Sequence, residues 1–348
     1  MRKFFTDNKQ DLEKFGQLLA SPKKIVLTAH QNPDGDAYGS IFSLYALLNQ
    51  MGHEVYAISP TGHADYISWM PGVSNVINFQ DDLERGRAER LISEANLIFC
   101  LDFSALSRIR DMGTIIESSK ADIVLIDHHQ EPEDFADFVF WDESAAATCE
   151  LIFLLVNKLN LSHLINLEVA TCLYTGILTD TGSFRFDSTT PQVHEIAGQL
   201  IAKGINPNRI NRKLFDQYKV DSLRFRGFAL AERLTYLEEM NVAYFTISLE
   251  DQEKFNVEKG DTEGLVNYGL SIAGVVMSVI FIENEDLIKI SFRSIENFSV
   301  AEMARNHFDG GGHKNASGGK SNLTLKETVD MFLKLLPDYQ KSLLEQSV

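Results

Sequence analysis

Two short apolar runs, each ending in a knot of metal-binding side chains, constrain this chain most. Lys24-Ile25-Val26-Leu27-Thr28-Ala29 leads into His30-Gln31-Asn32-Pro33-Asp34-Gly35-Asp36, and Asp122-Ile123-Val124-Leu125-Ile126 leads into Asp127-His128-His129. Such runs read as buried strands. Carboxylates and imidazoles gathered at strand ends are what a divalent-cation site requires. In an open parallel sheet, ligands collect outside the carboxyl ends of the strands. Two independent strands therefore deliver donors to one edge. Asp102 ends a third run, Leu97-Ile98-Phe99-Cys100-Leu101, and Asp180 lies in Leu178-Thr179-Asp180-Thr181-Gly182-Ser183-Phe184-Arg185. A single aspartate after a strand is as readily a helix cap or turn residue. The weight comes from all of these stretches occurring in order.

The first half alternates strand and helix patterns. Strands are expected at 25–29, 54–59, 76–79, 97–101 and 123–126, with helices at 11–19 and at 37–51, the latter stopped by Gly52. This alternation predicts an α/β fold, a mostly parallel sheet flanked by helices. Helical periodicity follows at 145–159 and 167–178. Turn formers at Asp187-Ser188-Thr189-Thr190-Pro191 introduce a helical connector over 191–219. A smaller α/β unit then spans 220–348. It begins with one long helix to 240, followed by strands at 242–248, 275–283 and 287–292. A helix at 300–307, a glycine-rich loop at 310–319 and a last helix at 325–336 complete it.

A chain of 348 residues accommodates two units with separate cores. No apolar run approaches the roughly 18 to 20 residues of a membrane span. Met1-Arg2-Lys3-Phe4-Phe5-Thr6-Asp7 lacks the apolar core of a signal peptide, so a cytoplasmic location is the default and no membrane partner is expected. Cys100, Cys149 and Cys172 sit in apolar segments without paired spacing and read as reduced core thiols. The net charge of −17 argues against a broad basic surface for long duplex nucleic acid. It leaves room for a short anionic substrate drawn in by cations.

Taken together, these motifs resemble the DHH phosphoesterase superfamily, named for the Asp-His-His triplet. Gly310-Gly311-Gly312-His313 resembles the signature of the DHHA1 domain, which follows the catalytic domain in one branch. Within the superfamily the chain is most similar to the bacterial group of nanoRNA and pAp phosphatases. The resemblance implies a DHH catalytic domain over 1–190 and a DHHA1 substrate-binding domain over 220–348. It implies two divalent cations, Mn2+ ahead of Mg2+. Two such ions about 4 Å apart can clamp a phosphate and acidify a shared water. His30, Asp34 and Asp102 would hold one ion, and Asp36, Asp102, His128 and Asp180 the other, with Asp102 bridging. His129 would face the scissile phosphate, and Asp127 would orient an imidazole through a hydrogen bond.

Substrate contacts are expected from Arg185, Arg293, Gly310, Gly311, Gly312 and His313. Glycines let a chain pass close to a phosphate with its amides exposed, although a flexible surface loop is the simpler reading of a glycine run. Arg185, with Phe184 beside it, follows Asp180 closely enough to lie by the ions; a surface salt bridge is the alternative. The activity implied is hydrolysis of short oligoribonucleotides to 5′ mononucleotides and dephosphorylation of pAp. A stand-alone cyclic-dinucleotide phosphodiesterase shares every motif and stays open. A RecJ-type exonuclease, an inorganic pyrophosphatase and a non-catalytic nucleotide sensor fit less well. The sequence leaves oligomeric state open, and a homodimer is compatible with it.

Overall fold

In the computed structural model, the three runs that end in His30, Asp102 and Asp127 are adjacent strands of one sheet. The structure describes residues 9–258 and 260–346; the stretch Met1 to Asp7, read above for a signal peptide, lies outside them. The chain divides into two compact units, Met1–Gln217 and Tyr218–Val348.

Among the described residues of the first unit, six strands form one sheet. They are β1 (Lys24–Ala29), β2 (Glu54–Ser59), β3 (Val76–Asn78), β4 (Leu97–Leu101), β5 (Asp122–Asp127) and β6 (Phe138–Trp141). Their order is β3-β2-β1-β4-β5-β6, and every neighbouring pair is parallel. β4 therefore lies between β1 and β5, and all three end at the same edge. Both sheet faces are covered, which explains the near-continuous apolar runs. Ile25, Leu27 and Ala29 enter one core with Phe99 and Leu101, while Val26, Ile98 and Cys100 enter the other.

Helices α1 (Lys9–Leu18), α2 (Gly35–Gln50), α5 (Thr148–Lys158) and α6 (Leu167–Asp180) lie over the first face. α3 (Asp82–Glu94) and α4 (Asp111–Glu117) lie over the second. α7 (Pro191–Ala202) and α8 (Pro207–Phe215) fall in the stretch expected as a connector. Their Val193, Ile196, Leu200, Ile210 and Leu214 are buried in the first unit's core. The three cysteines are free and buried.

One crossing sets the site. α2 and α6 meet at Gly39 and Gly176. A methyl on Gly39 would stand 2.7 Å from the Cys172 carbonyl oxygen, and one on Gly176 would stand 2.6 Å from Asp36 Oδ1 and nearer still to Cys149 Sγ. The absence of side chains there lets the start of α2, with Asp36, approach the end of α6, with Asp180.

The second unit's described residues hold another six-stranded sheet. Its strands are β7 (Leu234–Leu237), β8 (Val242–Ile247), β9 (Met277–Glu283), β10 (Ile288–Ser294), β11 (Gly311–His313) and β12 (Ala316–Ser321). The order is β11-β12-β10-β9-β8-β7, with β8 and β9 parallel and the other pairs antiparallel. Helices α9 (Val220–Phe228), α10 (Leu249–Lys254), α11 (Leu265–Gly269), α12 (Val300–His307) and α13 (Leu325–Leu344) complete it.

Three expectations change here. The long helix to 240 stops at Phe228. After a wide turn over Ala229–Arg233 the chain becomes β7, because Leu234 to Leu237 pair with β8, and that pairing overrides local helix preference. The glycine-rich loop is an antiparallel hairpin, with Gly311 opposite Gly318 and His313 opposite Ala316. The last helix continues through Pro337 to Leu344, since Leu336 and Leu343 are both buried and their packing outweighs one lost backbone bond. No helix of the described residues is long and apolar enough to cross a membrane.

The glycine crossing yields a stability test. Gly176→Ala forces Cys149 or Asp36 to move, and overpacking of this kind costs about 1–3 kcal/mol. Urea melts should show that loss, whereas the same change at exposed Gly198 on α7, where added atoms meet nothing, should be stabilising or neutral. Equal behaviour of the two variants would mean that the crossing tolerates bulk.

Candidate metal centre

Several candidate donors are aimed by backbone groups. His30 follows β1; its Nδ1 lies 2.9 Å from the Gln31 carbonyl oxygen, so Nε2 faces the carboxylates. Asp34 caps α2: its Oδ1 accepts from the amides of Asp36 and Ala37 at 3.0 and 3.1 Å, leaving Oδ2 on the side of His30, 3.9 Å away. His128 follows β5 and sets Nδ1 against the Ala145 carbonyl oxygen at 3.0 Å. Tethering one ring nitrogen fixes which nitrogen is presented, as metal-binding imidazoles require.

Asp102 joins the two halves. Its Oδ2 is 3.5 Å from His30 Nε2, and its Oδ1 is 3.6 Å from His128 Nε2. The residue takes φ +63°, a left-handed conformation that aspartate tolerates better than most side chains. Its amide donates to the Ile126 carbonyl oxygen at 3.0 Å, which holds the turn against β5. His128 Nε2 also stands 3.2 Å from Asp180 Oδ2 and 3.9 Å from Asp36 Oδ2. Two donor clusters result, His30-Asp34-Asp102 and Asp36-His128-Asp180, each with its donor atoms within 4.8 Å of one another. Asp102 sits between them with one oxygen toward each.

The electrostatics are those of a site short of positive charge. Burial opposes charge on His30, but its bond to Asp102 and the nearby Asp34 carboxylate overcome this and lift its pKa to about 9. His128 is likewise raised well above the usual imidazole value; burial again opposes charge, and Asp180, Asp102 and Asp36 prevail. Burial pushes Asp180 up to about 6, aided by Asp34 and Asp102 and resisted by His128. Asp36 is raised by burial and by the charges of Asp102 and Asp180. Asp102 goes the other way: burial would raise it, but His30, His129 and His128 hold it well below the carboxylate range. The carboxylates thus favour the protonated form of both imidazoles. An oxygen-rich set with one imidazole per cluster fits divalent cations of the Mn2+ or Mg2+ type.

His129 stands beside this set. Its Nδ1 lies 2.8 Å from Asp127 Oδ1 and 3.7 Å from Asp102 Oδ1. Asp127 is fully buried at the end of β5. Arg185 is exposed, and its Nε donates to the Gly182 carbonyl oxygen at 2.8 Å. Gly182, Ser183 and Phe184 all have positive φ, a tight left-handed turn after Asp180. That turn carries Phe184 away from the donors, to stack on His194 at 5.4 Å and lean on Tyr174. Phe186, which the sequence reading did not single out, is the exposed ring of this segment.

In the second unit, Arg293 on β10 and His313 on β11 flank Ala316 on β12 from either side. Directly paired residues share a sheet face, so both project to one side, about 10 Å apart across a residue that adds only a methyl. Gly310 and Gly312 have a packing role in the hairpin. An added methyl on Gly312, at φ +141°, would stand 2.7 Å from the Ala316 carbonyl oxygen, and one on Gly310 would collide with the Gly318 carbonyl. Gly311 alone of the three faces open space.

The sequence reading missed the start of α5. The amides of Thr148 and Cys149 donate to the Asp36 carboxylate at 2.6 and 3.0 Å, and Thr148 Oγ1 donates to Asp102 Oδ1 at 2.9 Å. The signal for it was the run Ala145-Ala146-Ala147 before Thr148, small enough for a helix terminus to come close.

Comparison with known proteins agrees with this architecture. The model of the DHH family, N-terminal domain, matches residues 24–177, and that of the DHHA1 domain matches residues 239–342. The chain belongs to the DHH family of phosphoesterases, in the branch that carries a DHHA1 domain. It is 30% identical over 295 residues to the bifunctional oligoribonuclease and PAP phosphatase NrnA of Thermus thermophilus, covering 84% of this chain and 83% of that protein. It is 28% identical to the protein of the same name from Bacillus subtilis, covering 84% and 88%. The crystal structure of an exopolyphosphatase-related protein from Bacteroides fragilis superposes with a TM-score of 0.93 at 37% identity, covering 98% of this chain and all of that one.

The raised His30 value gives a pH test. An ion needs His30 Nε2 without its proton, and with a pKa of about 9 that proton is present near neutral pH. Ion binding should therefore expel it. Affinity should climb with pH, by up to about tenfold per unit for each proton displaced, and lose this dependence on His30 above about pH 9. Calorimetry in buffers of different ionisation enthalpy measures the release directly. Ion binding near neutral pH with no proton released would show that His30 is not a ligand.

Proposed function

We propose that this protein is a two-cation phosphoesterase that releases 5′ mononucleotides from short oligoribonucleotides and removes phosphate from pAp. The observation that carries the reading is Asp102, one carboxylate with an oxygen toward each donor cluster. The relatives named for oligoribonuclease and PAP phosphatase activity support the substrate class. His30, Asp34 and Asp102 would hold one cation, and Asp36, Asp102, His128 and Asp180 the other. Mn2+ is favoured over Mg2+ because each cluster includes an imidazole. Bound, the cations would supply Lewis acidity toward a phosphate oxygen and a more acidic water.

The chain's own groups do the rest. The amides at the start of α2 and α5 keep Asp34 and Asp36 in place. His129, held through Nδ1 against Asp127, would place a proton on the leaving oxygen. Arg185 adds positive charge near the reacting phosphate. Arg293 and His313 share one sheet face and would hold a terminal phosphate by charge-assisted bonds.

Ranking kcat/KM over pAp, an RNA series from dimer to 24-mer, cyclic dinucleotides and pyrophosphate, with Mn2+ present, tests the assignment. Short RNA and pAp should lead; cyclic dinucleotides at the head would move the protein to a different activity on the same site. Asp102→Asn should abolish turnover more completely than any other single ligand change, and a variant with near-normal rates would remove the two-cation scheme.

Arg293→Ala should raise KM for pAp and short RNA roughly tenfold to a hundredfold, the value of a charged hydrogen bond of about 1.5–3 kcal/mol. A small generic phosphodiester should be affected far less, whereas His129→Ala should slow every substrate. Equal damage from Arg293→Ala on the small substrate would place the second unit in the chemistry itself.

A further inference from the structure

Thr148 hydrogen-bonds to one carboxylate of each donor cluster, Asp102 and Asp36. Its hydroxyl donates to Asp102 Oδ1 at 2.9 Å, and its amide donates to Asp36 Oδ2 at 2.6 Å. It is fully buried, the first residue of α5. Asp102 and Asp36 come from different places, the end of β4 and the start of α2. Besides Thr148, three imidazoles stand beside the carboxylate of Asp102: His30 at 3.5 Å, His128 at 3.6 Å and His129 at 3.7 Å. All three attract it, His30 at Oδ2 and the other two competing at Oδ1. A carboxylate among three competing imidazoles has no single preferred rotation. One neutral donor locked to a helix end selects one.

We propose that Thr148 is a positioning residue: its hydroxyl fixes the rotation of Asp102 so that Oδ1 serves the cluster of Asp36, His128 and Asp180, and its amide sets Asp36 in register with it. This rests on the two-cation reading above and adds to it a division of labour. The cluster of His30 and Asp34 meets Asp102 through Oδ2, which the hydroxyl does not touch. Removing the hydroxyl should therefore weaken the second cation far more than the first. The amide bond to Asp36 survives any side-chain change, so the second cluster is loosened rather than dismantled.

The experiment titrates Mn2+ into metal-free wild type, Thr148→Val and Thr148→Ser by calorimetry, with melting curves of the metal-free proteins and kcat and KM at saturating Mn2+. Valine keeps the shape of threonine and removes the hydroxyl; serine keeps the hydroxyl and removes a methyl. In Thr148→Val one of the two Mn2+ affinities should fall about 10- to 100-fold, the usual effect of losing a group that orients a ligand. The other should change less than about threefold, and Thr148→Ser should restore both. At saturating Mn2+ the loss should appear in kcat rather than KM.

Two unchanged affinities in Thr148→Val would overturn the proposal. So would an equal fall in both accompanied by a lowered metal-free melting temperature, which would mark a packing role. Thr148→Ser behaving like Thr148→Val would overturn it too, by assigning the effect to the methyl. Wild type binding fewer than two Mn2+ would instead refute the two-cation reading on which the proposal stands.

Discussion

Four carboxylates, Asp36 and Asp102 among them buried, and two buried imidazoles lie within a few ångströms of one another, and the rest of the first unit answers to that crowding. Like charges this close repel strongly where little water screens them. The fold meets the problem with backbone amides. The start of α2 supplies two to Asp34, and the start of α5 supplies two to Asp36. Helix beginnings carry unpaired amides and partial positive charge, so they hold carboxylates in place by hydrogen bonds. Asp102, which has no such terminus, relies on imidazoles and one hydroxyl. The parallel sheet supplies the geometry, since only three adjacent strands pointing one way could bring His30, Asp102 and His128 to a common edge.

Most of this was legible in the sequence because it is local. An apolar run of five or six residues followed by His or Asp states both a strand and where it ends. His30, Asp102 and His128 stand out this way, Asp34, Asp36 and Asp180 through the family resemblance, and the structure brings the six candidate donors together. Thr148 was not, because its importance lies in two contacts across more than forty and more than a hundred positions of chain, which no local pattern encodes. The left-handed turn after Asp180 was hidden for another reason. Ser183 and Phe184 are poor residues for positive φ, so nothing in their identity announces it. In this turn Phe184 stacks on His194 and packs partly buried against the core.

The second unit shows the same limit from the opposite direction. Its glycines drew attention as amides exposed to a phosphate, a property of each residue alone. In the structure, two of the three are where they are because strands β11 and β12 press together too closely for a side chain. Packing and ligand contact are compatible explanations for one motif, and the hairpin satisfies the first without precluding the second. The same pairing brings Arg293 and His313 to one face, a relation invisible in a sequence where they stand twenty residues apart. β7 was missed similarly: its residues favour a helix, and only β8 beside it makes a strand.

The left-handed backbone at Asp102 bears on how such a protein could change over evolutionary time. Few residues sit comfortably there: aspartate, asparagine and glycine. Any other occupant would distort the junction between β4 and the chain that follows, and so would disturb folding as well as the donors. The easiest routes away from hydrolysis thus pass through asparagine or glycine, each of which leaves the scaffold intact. A descendant that kept the fold while abandoning the reaction would carry that trace at a single position, and its identity would distinguish a lineage that gave up chemistry from one whose sheet had begun to fail.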